Sequence, residues 1–193
     1  MRRIVMFNWV SIDGFFAGPN GEMDWILRDP KVDNALRESG TDDGGSASMG
    51  SDTMLLGNVT YTLFENSWPN ILKDPQAPEE LHKMAEEVTR MTKIVFSKTR
   101  KDVTWENSKL LRGNLVEEVE KLKQGDGSAI LIFGSGTLVQ QLTHAGLIDE
   151  YFIAVTPVVI GKGKVLFQDV EKRTLRLVES KQFQSGNVLL RYS

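Results

Sequence analysis

The apolar positions of this chain fall into short runs separated by polar and glycine-rich breaks, and the rhythm changes from run to run. Ala129 to Phe133 (Ala-Ile-Leu-Ile-Phe) is wholly apolar with no alternation, the pattern of a strand buried on both faces. It stops at Gly134-Ser135-Gly136. Leu138, Val139, Leu142 and Ala145 then recur at helical spacing. The stretch predicts strand, glycine turn and helix, with Ser135 and Thr137 both suited to cap the helix.

The same reading extends along the chain. Arg3 to Val10 predicts a first strand, and Pro19-Asn20-Gly21 a turn. Pro30 to Ser39 predicts a helix capped by Asp29, with Val32, Ala35 and Leu36 inward. Gly40 to Gly50 is small and polar and reads as a loop. Thr53 to Gly57 predicts a buried strand, and Asn58 to Asn66 a short helix. Trp68 to Pro78 reads as an irregular loop with three of the six prolines. Glu79 to Arg90 predicts an amphipathic helix, Lys93 to Ser97 a third strand, and Val103 to Trp105 a short fourth. Asn114 to Lys123 predicts a helix closed by Gly125-Asp126-Gly127. Glu150 to Val155 reads as a strand, and Val158 to Gly163 as a turn-bearing segment. Leu175 to Phe183 and Val188 to Tyr192 alternate, so they predict a hairpin through Ser185-Gly186-Asn187. The early part alternates strands and helices and the end is strand-rich. The whole predicts a single α/β domain with a mainly parallel central sheet, helices on both faces and a C-terminal antiparallel hairpin.

The glycine turn has a chemical use. Glycines let a ligand approach the backbone. The free amides and the positive dipole end of the following helix suit a phosphate. The pattern alone also fits a plain tight βα turn, because Val139 stands where a third glycine of the dinucleotide fingerprint would fall.

Composition narrows the field. A chain of 193 residues, 40% hydrophobic and 25% charged, fits one soluble domain. The net charge of −3 gives no basic excess for nucleic acid and no charge block for a membrane surface. There are no cysteines and only two histidines, so thiolate chemistry is excluded and no metal site is expected. No apolar run spans a bilayer, and Arg2-Arg3 does not open a signal peptide. The expected location is the cytoplasm.

Several stretches together carry a resemblance: Ser11-Ile-Asp-Gly14 with Ala17-Gly-Pro-Asn-Gly21 and Asp24-Trp25, Leu55-Leu-Gly57 with Thr60-Tyr61, Val95-Phe-Ser97, Phe133-Gly-Ser-Gly-Thr137, and Pro157 to Gly163 with Leu166-Phe167. In this order the chain resembles the dihydrofolate reductase-like family. The closest branch is that of the reductase domain of the riboflavin-synthesis deaminase/reductase. The resemblance implies an NADPH-dependent reductase. It implies that Gly134, Ser135, Gly136 and Thr137 hold the cofactor pyrophosphate, with Phe133 and Leu138 also at the cofactor, and that Gly57, Asn58, Val59 and Thr60 form a second helix N-terminus beside it. Thr60 offers its hydroxyl to a phosphate or to the helix. Ser97, Lys98 and Thr99 fall where the family binds the adenosine 2′-phosphate, with Lys98 and Arg100 as cations for it or as a solvated strand end. The family often has an arginine directly after the glycine matching Gly57. Asn58 stands there, which leaves NADPH against NADH open.

On the substrate side the resemblance puts Asn8, Val10, Ile12, Asp13 and Gly14 beside the nicotinamide, with Ala17 near it. Trp25 lies on the same wall or in the core. The proton is expected from water or from an acid such as Asp13 or Asp24. Asp29 and Asp33 also lie in the segment where folate reductases place an acid, and capping or solvation accounts for these carboxylates equally well. Gly161-Lys162-Gly163 either meets a substrate phosphate or simply turns. The implied substrate is a small heterocycle, an aminopyrimidine of the riboflavin pathway or a pterin. A nucleotide-binding module without turnover and a purely structural dimer are the rival readings. The branch is often homodimeric, and the apolar strand Tyr151 to Val155 offers an interface.

Overall fold

In a computed structural model, which describes residues 1–39 and 49–193, the parallel strands form one continuous sheet. They are β1 (Ile4–Ser11), β3 (Ser51–Gly57), β4 (Thr92–Phe96), β5 (Ser108–Leu111), β6 (Ala129–Phe133) and β7 (Glu150–Thr156). The hairpin of β9 (Leu177–Gln182) and β10 (Val188–Tyr192) completes it antiparallel to β7, giving the order β5-β4-β3-β6-β1-β7-β10-β9. A two-stranded ribbon of β2 (Phe15–Ala17) and β8 (Lys164–Val165) stands apart. Most of the expected loop Gly40 to Gly50, at residues 40–48, lies outside the described residues.

Alternation along the strands divides the core in two. Val5, Phe7 and Trp9 of β1, with Met54, Leu56 and Leu131, pack toward α1 (Pro30–Ser39), α2 (Asn58–Lys73) and α3 (Glu79–Arg90). Ile4, Met6 and Val10, with Leu55, Ile130 and Ile132, pack toward α4 (Leu115–Gln124) and α5 (Gly136–His144). A strand apolar at every position has its explanation here, because helices cover the sheet on both faces. The Asn114 carboxamide oxygen caps α4, accepting from the amides of Val116 at 3.0 Å and Glu117 at 3.4 Å.

Two elements differ from expectation. Helix α2 does not stop near Asn66 but runs to Lys73 with Pro69 inside it. A proline there removes one backbone bond and costs about 3 kcal/mol. Phe64 and Trp68 lean on the core at ring distances of 5.4 and 5.8 Å, each ring contributing on the order of 1–2 kcal/mol. The Asn70 side-chain amide adds a bond to the Asn66 carbonyl at 2.7 Å. Packing outweighs the break. The expected strand at Val103 to Trp105 is absent, and the edge strand is β5. Trp105 is buried instead, its backbone amide donating to the Tyr61 hydroxyl at 3.0 Å.

Strand β7 is paired on both sides, so it offers no free edge. What it presents is a half-buried face, Ile153 and Val155, beside Leu190 and Tyr192 of β10.

Candidate functional site

Across the carboxyl ends of β5, β4, β3 and β6, and beside β1, lies a cleft of about 560 Å³. Five neighbouring strands at about 4.8 Å spacing make it about 19 Å long, suited to an extended ligand. Open α/β sheets bind ligands at this end.

The glycine turn sits at its centre. Gly134 and Ser135 both take left-handed backbone conformations, with φ of 61° and 49°. They reverse the chain so that α5 starts at Gly136. Ser135 occupies the cap position, but its hydroxyl does not reach the helix amides. It accepts from the Gly57 amide at 3.0 Å and lies 3.1 Å from the Thr60 hydroxyl, which also accepts from the Ser135 amide at 3.2 Å. Ser135 and Thr60 thus bolt the start of α5 to the start of α2. The Leu138 and Val139 amides already bond the Ser135 carbonyl, at 2.8 and 3.1 Å, but those of Gly136 and Thr137 precede the first bond of α5, as those of Asn58 and Val59 do in α2, and both helix dipoles present their positive ends to one cleft. The Asn8 side-chain amide holds the turn from β1, donating to the Gly134 carbonyl at 3.1 Å. Phe16 lies on Gly136 so closely that any Cβ there would overlap its ring.

Toward β5 the cleft is cationic. Ser97 and Lys98 line it, whereas Thr99 does not and donates its amide to the Ser97 hydroxyl at 3.3 Å. Arg100 faces away. Its guanidinium pairs with Glu65 and bonds Asn58, Thr62 and the Asp102 carbonyl, so four of its five N–H donors are used and its charge is matched away from the cleft, against the phosphate role expected for it. Arg112 lines the cleft instead, its Nη2 donating to the Arg100 and Lys101 carbonyls at 2.6 and 2.9 Å. A third cation, Lys164 of β8, lines the cleft from the ribbon, where it is paired with Ala17. Neither Arg112 nor Lys164 was expected. The only signal in the chain was the place of Arg112 just before the helix predicted from Asn114, since strand β5 ahead of it carries no clear pattern.

Toward β1 the cleft is apolar and aromatic. Asn8, Ala17, Val59, Leu63, Phe64 and Phe133 line it. Phe133 belongs to a row of rings: Trp9–Phe7 at 6.0 Å, Phe7–Phe133 at 5.3 Å, Phe133–Phe64 at 5.4 Å and Phe64–Trp68 at 5.8 Å. The remaining expected residues lie outside the lining. Val10 is buried against the α5 side, and Ile12 is exposed. Trp25 packs on the core while its indole donates to the Glu22 carbonyl at 3.0 Å. Asp24 is exposed. Asp13 is exposed and clasps the 158–163 turn, accepting from the amides of Ile160 at 3.3 Å and Gly161 at 2.8 Å. Its hydrogen bond with the Ser11 side chain, then those two amides, hold its carboxyl below the ordinary carboxylate value. Asp29 is lowered by Ser185, while burial raises Asp33. Among the described residues, every ionisable side chain lining the cleft is basic: Lys98, Arg112 and Lys164.

Comparison with known proteins bears on the family and the fold. The family description "RibD C-terminal domain" matches residues 2–189. The chain belongs to that family. The Bacillus subtilis protein YyaP is 35% identical over 99% of this chain and 94% of its own, and YwjB of the same organism is 28% identical over 94% and 92%. Among solved structures, a riboflavin biosynthesis protein of Shewanella superposes with a TM-score of 0.70, at 21% identity over 98% of this chain and 97% of that one. Dihydrofolate reductase of Enterococcus faecalis complexed with NADP(H) superposes at 0.59, with 15% identity over 98% and 95%. These structures share the fold of the RibD C-terminal domain. Among the described residues no helix is long and apolar enough to cross a membrane.

Proposed function

We propose that this RibD C-terminal domain protein is a cytoplasmic NADPH-dependent reductase of a small planar heterocycle, of the 5-amino-6-(5-phosphoribosylamino)uracil reductase type or acting on a pterin. One observation carries the reading: two helix N-termini, bolted together through Ser135 and Thr60, open on one cleft whose ionisable side chains, among the described residues, are all basic. The residues fit the cofactor. The amides at Gly136 and Thr137 and at Asn58 and Val59 hold the pyrophosphate, and Lys98 and Arg112 supply charge at the adenosine end. Asn8, Ala17 and Phe133 give the nicotinamide a dry wall. When bound, the cofactor supplies the hydride. Water supplies the proton, because no carboxyl group lines the cleft among the described residues. The same reading makes the protein a homodimer that meets its second copy through the half-buried face of Ile153, Val155, Leu190 and Tyr192.

Titration with NADPH and NADH tests the first half. Saturable NADPH binding, weakened by salt, is expected. NADPH consumption with an aminopyrimidine or a pterin tests the second half. Absence of any cofactor binding overturns the proposal. The basic-only cleft also favours a module that binds nucleotide without turnover, which predicts binding and no consumption.

Asp13 gives a separate check. A carboxyl held below its ordinary value stays ionised at neutral pH and has no proton to give. Asp13→Asn is therefore expected to leave the shape of the pH–rate profile unchanged. Loss of the acid limb in that variant would return Asp13 to the role of donor.

A further inference from the structure

Between α2 and the loop after β4, one arginine holds two residues that line the cleft. The Arg100 guanidinium pairs with Glu65, and both side chains are largely buried, 17% and 15% exposed. Its Nε donates to the Asp102 carbonyl at 2.7 Å, and its Nη1 donates to the Thr62 hydroxyl at 2.9 Å and to Asn58 Oδ1 at 3.2 Å. The guanidinium also lies 4.5 Å from the centre of the Tyr61 ring. Its backbone carbonyl accepts from Arg112 at 2.6 Å.

A guanidinium only donates, so the branch of the Asn58 amide that meets it is the oxygen. The orientation of that amide is thereby fixed. Its nitrogen, two N–H donors, is on the opposite branch and makes no hydrogen bond among the described residues. Asn58 lines the cleft at the first position of α2, where the helix dipole is positive. The Arg100 charge is itself matched by Glu65 and does not serve a ligand directly.

We propose that Arg100 is a positioning residue for the nucleotide. It turns the Asn58 amide so that its N–H groups donate to an oxygen of the bound cofactor, a phosphate or ribose oxygen. Recognition at this end of the cleft is then relayed from Glu65 through Arg100 to Asn58. This rests on the cofactor reading above.

A mutant cycle with NADPH as the probe tests it, with thermal midpoints recorded for each protein. Asn58→Ala removes the donor. Arg100→Leu with Glu65→Leu removes the buried pair together, which leaves no lone charge inside the protein. Each change is expected to weaken NADPH binding about tenfold, the effect of one hydrogen bond. The triple variant is expected to lose no more than either, since both act through the same amide. In turnover the change appears in KM and not in kcat. Repeating the titration with adenosine 5′-phosphate and adenosine 2′,5′-bisphosphate separates the oxygens: loss confined to the bisphosphate assigns the 2′-phosphate, and equal loss on both assigns the oxygens they share. Unchanged binding in Asn58→Ala, or penalties that multiply in the triple variant, overturns the relay while leaving the cofactor reading in place. A wild-type protein that binds no NADPH overturns the cofactor reading, and the relay with it.

Discussion

Gly136→Asp is expected to weaken NADPH binding by about a hundredfold or more while the protein stays folded. Two effects act together. Any Cβ at this position overlaps the Phe16 ring, which must swing away from the turn. Overpacking of this kind typically costs about 1–3 kcal/mol. The added carboxylate also stands on the first residue of α5, among the amides proposed to receive a pyrophosphate, and repels it. The same charge has the opposite effect on the helix, because an acid at an N-terminus stabilises it by about 0.3–1 kcal/mol. Binding and stability therefore part company, and thermal unfolding alongside titration sees both. Gly136→Ala isolates the steric half. Combined with Phe16→Ala it should recover most of the affinity lost by the alanine alone, since the ring it collides with is gone. Unaltered NADPH binding in Gly136→Asp would mean that the turn does not hold the nucleotide.

What could be read from the chain, and what could not, follows from where the information sits. Ala129 to Phe133 announced a doubly covered strand because both faces are buried, and the covering helices lie on both sides as expected. Glu79 to Arg90 was legible to the residue because its apolar stripe and its flanking Pro78 and Met91 change character at its ends. Strand β5 was hidden. It pairs only with β4, and Ser108 and Lys109 dilute any apolar pattern. Helix α2 reads as shorter in the sequence than it is because Pro69 is a local signal, whereas the packing of Phe64 and Trp68 that overrides it is tertiary. The cleft shows the same division. The glycine turn and the start of α2 could be picked from the sequence. Which of the neighbouring cations faces the cleft could not. Arg100 and Arg112 are twelve residues apart, and one is turned inward only because Glu65 and Asn58 on another helix receive it.

Away from the cleft, Lys93 makes stability depend on pH. A lysine in a strand reads as a solvated residue, yet Lys93 is fully buried in β4. Its ammonium donates to the Thr89 carbonyl at 2.6 Å and the Val88 carbonyl at 3.3 Å, near the end of α3, and lies 4.2 Å from the centre of the Trp105 ring. Burial lowers its pKa from 10.5 to about 8, with only the Glu106 charge opposing the shift. The direction of the stability change follows. Below about pH 8 both the folded and the unfolded chain are protonated, and the folded state carries the full desolvation cost. Between about pH 8 and 10.5 the unfolded chain keeps a proton that the folded chain has released, so stability rises with pH, by up to about 1.4 kcal/mol per pH unit. The total is on the order of 3 kcal/mol. Lys93→Met removes the ammonium and fills the same space, and the Thr89 carbonyl keeps a partner in the Asn107 amide at 3.1 Å. Urea unfolding of both proteins across this range is expected to show the methionine variant ahead at neutral pH and its lead shrinking as the solution becomes alkaline. Parallel curves would show that Lys93 reaches water in the folded state and that burial does not control its charge.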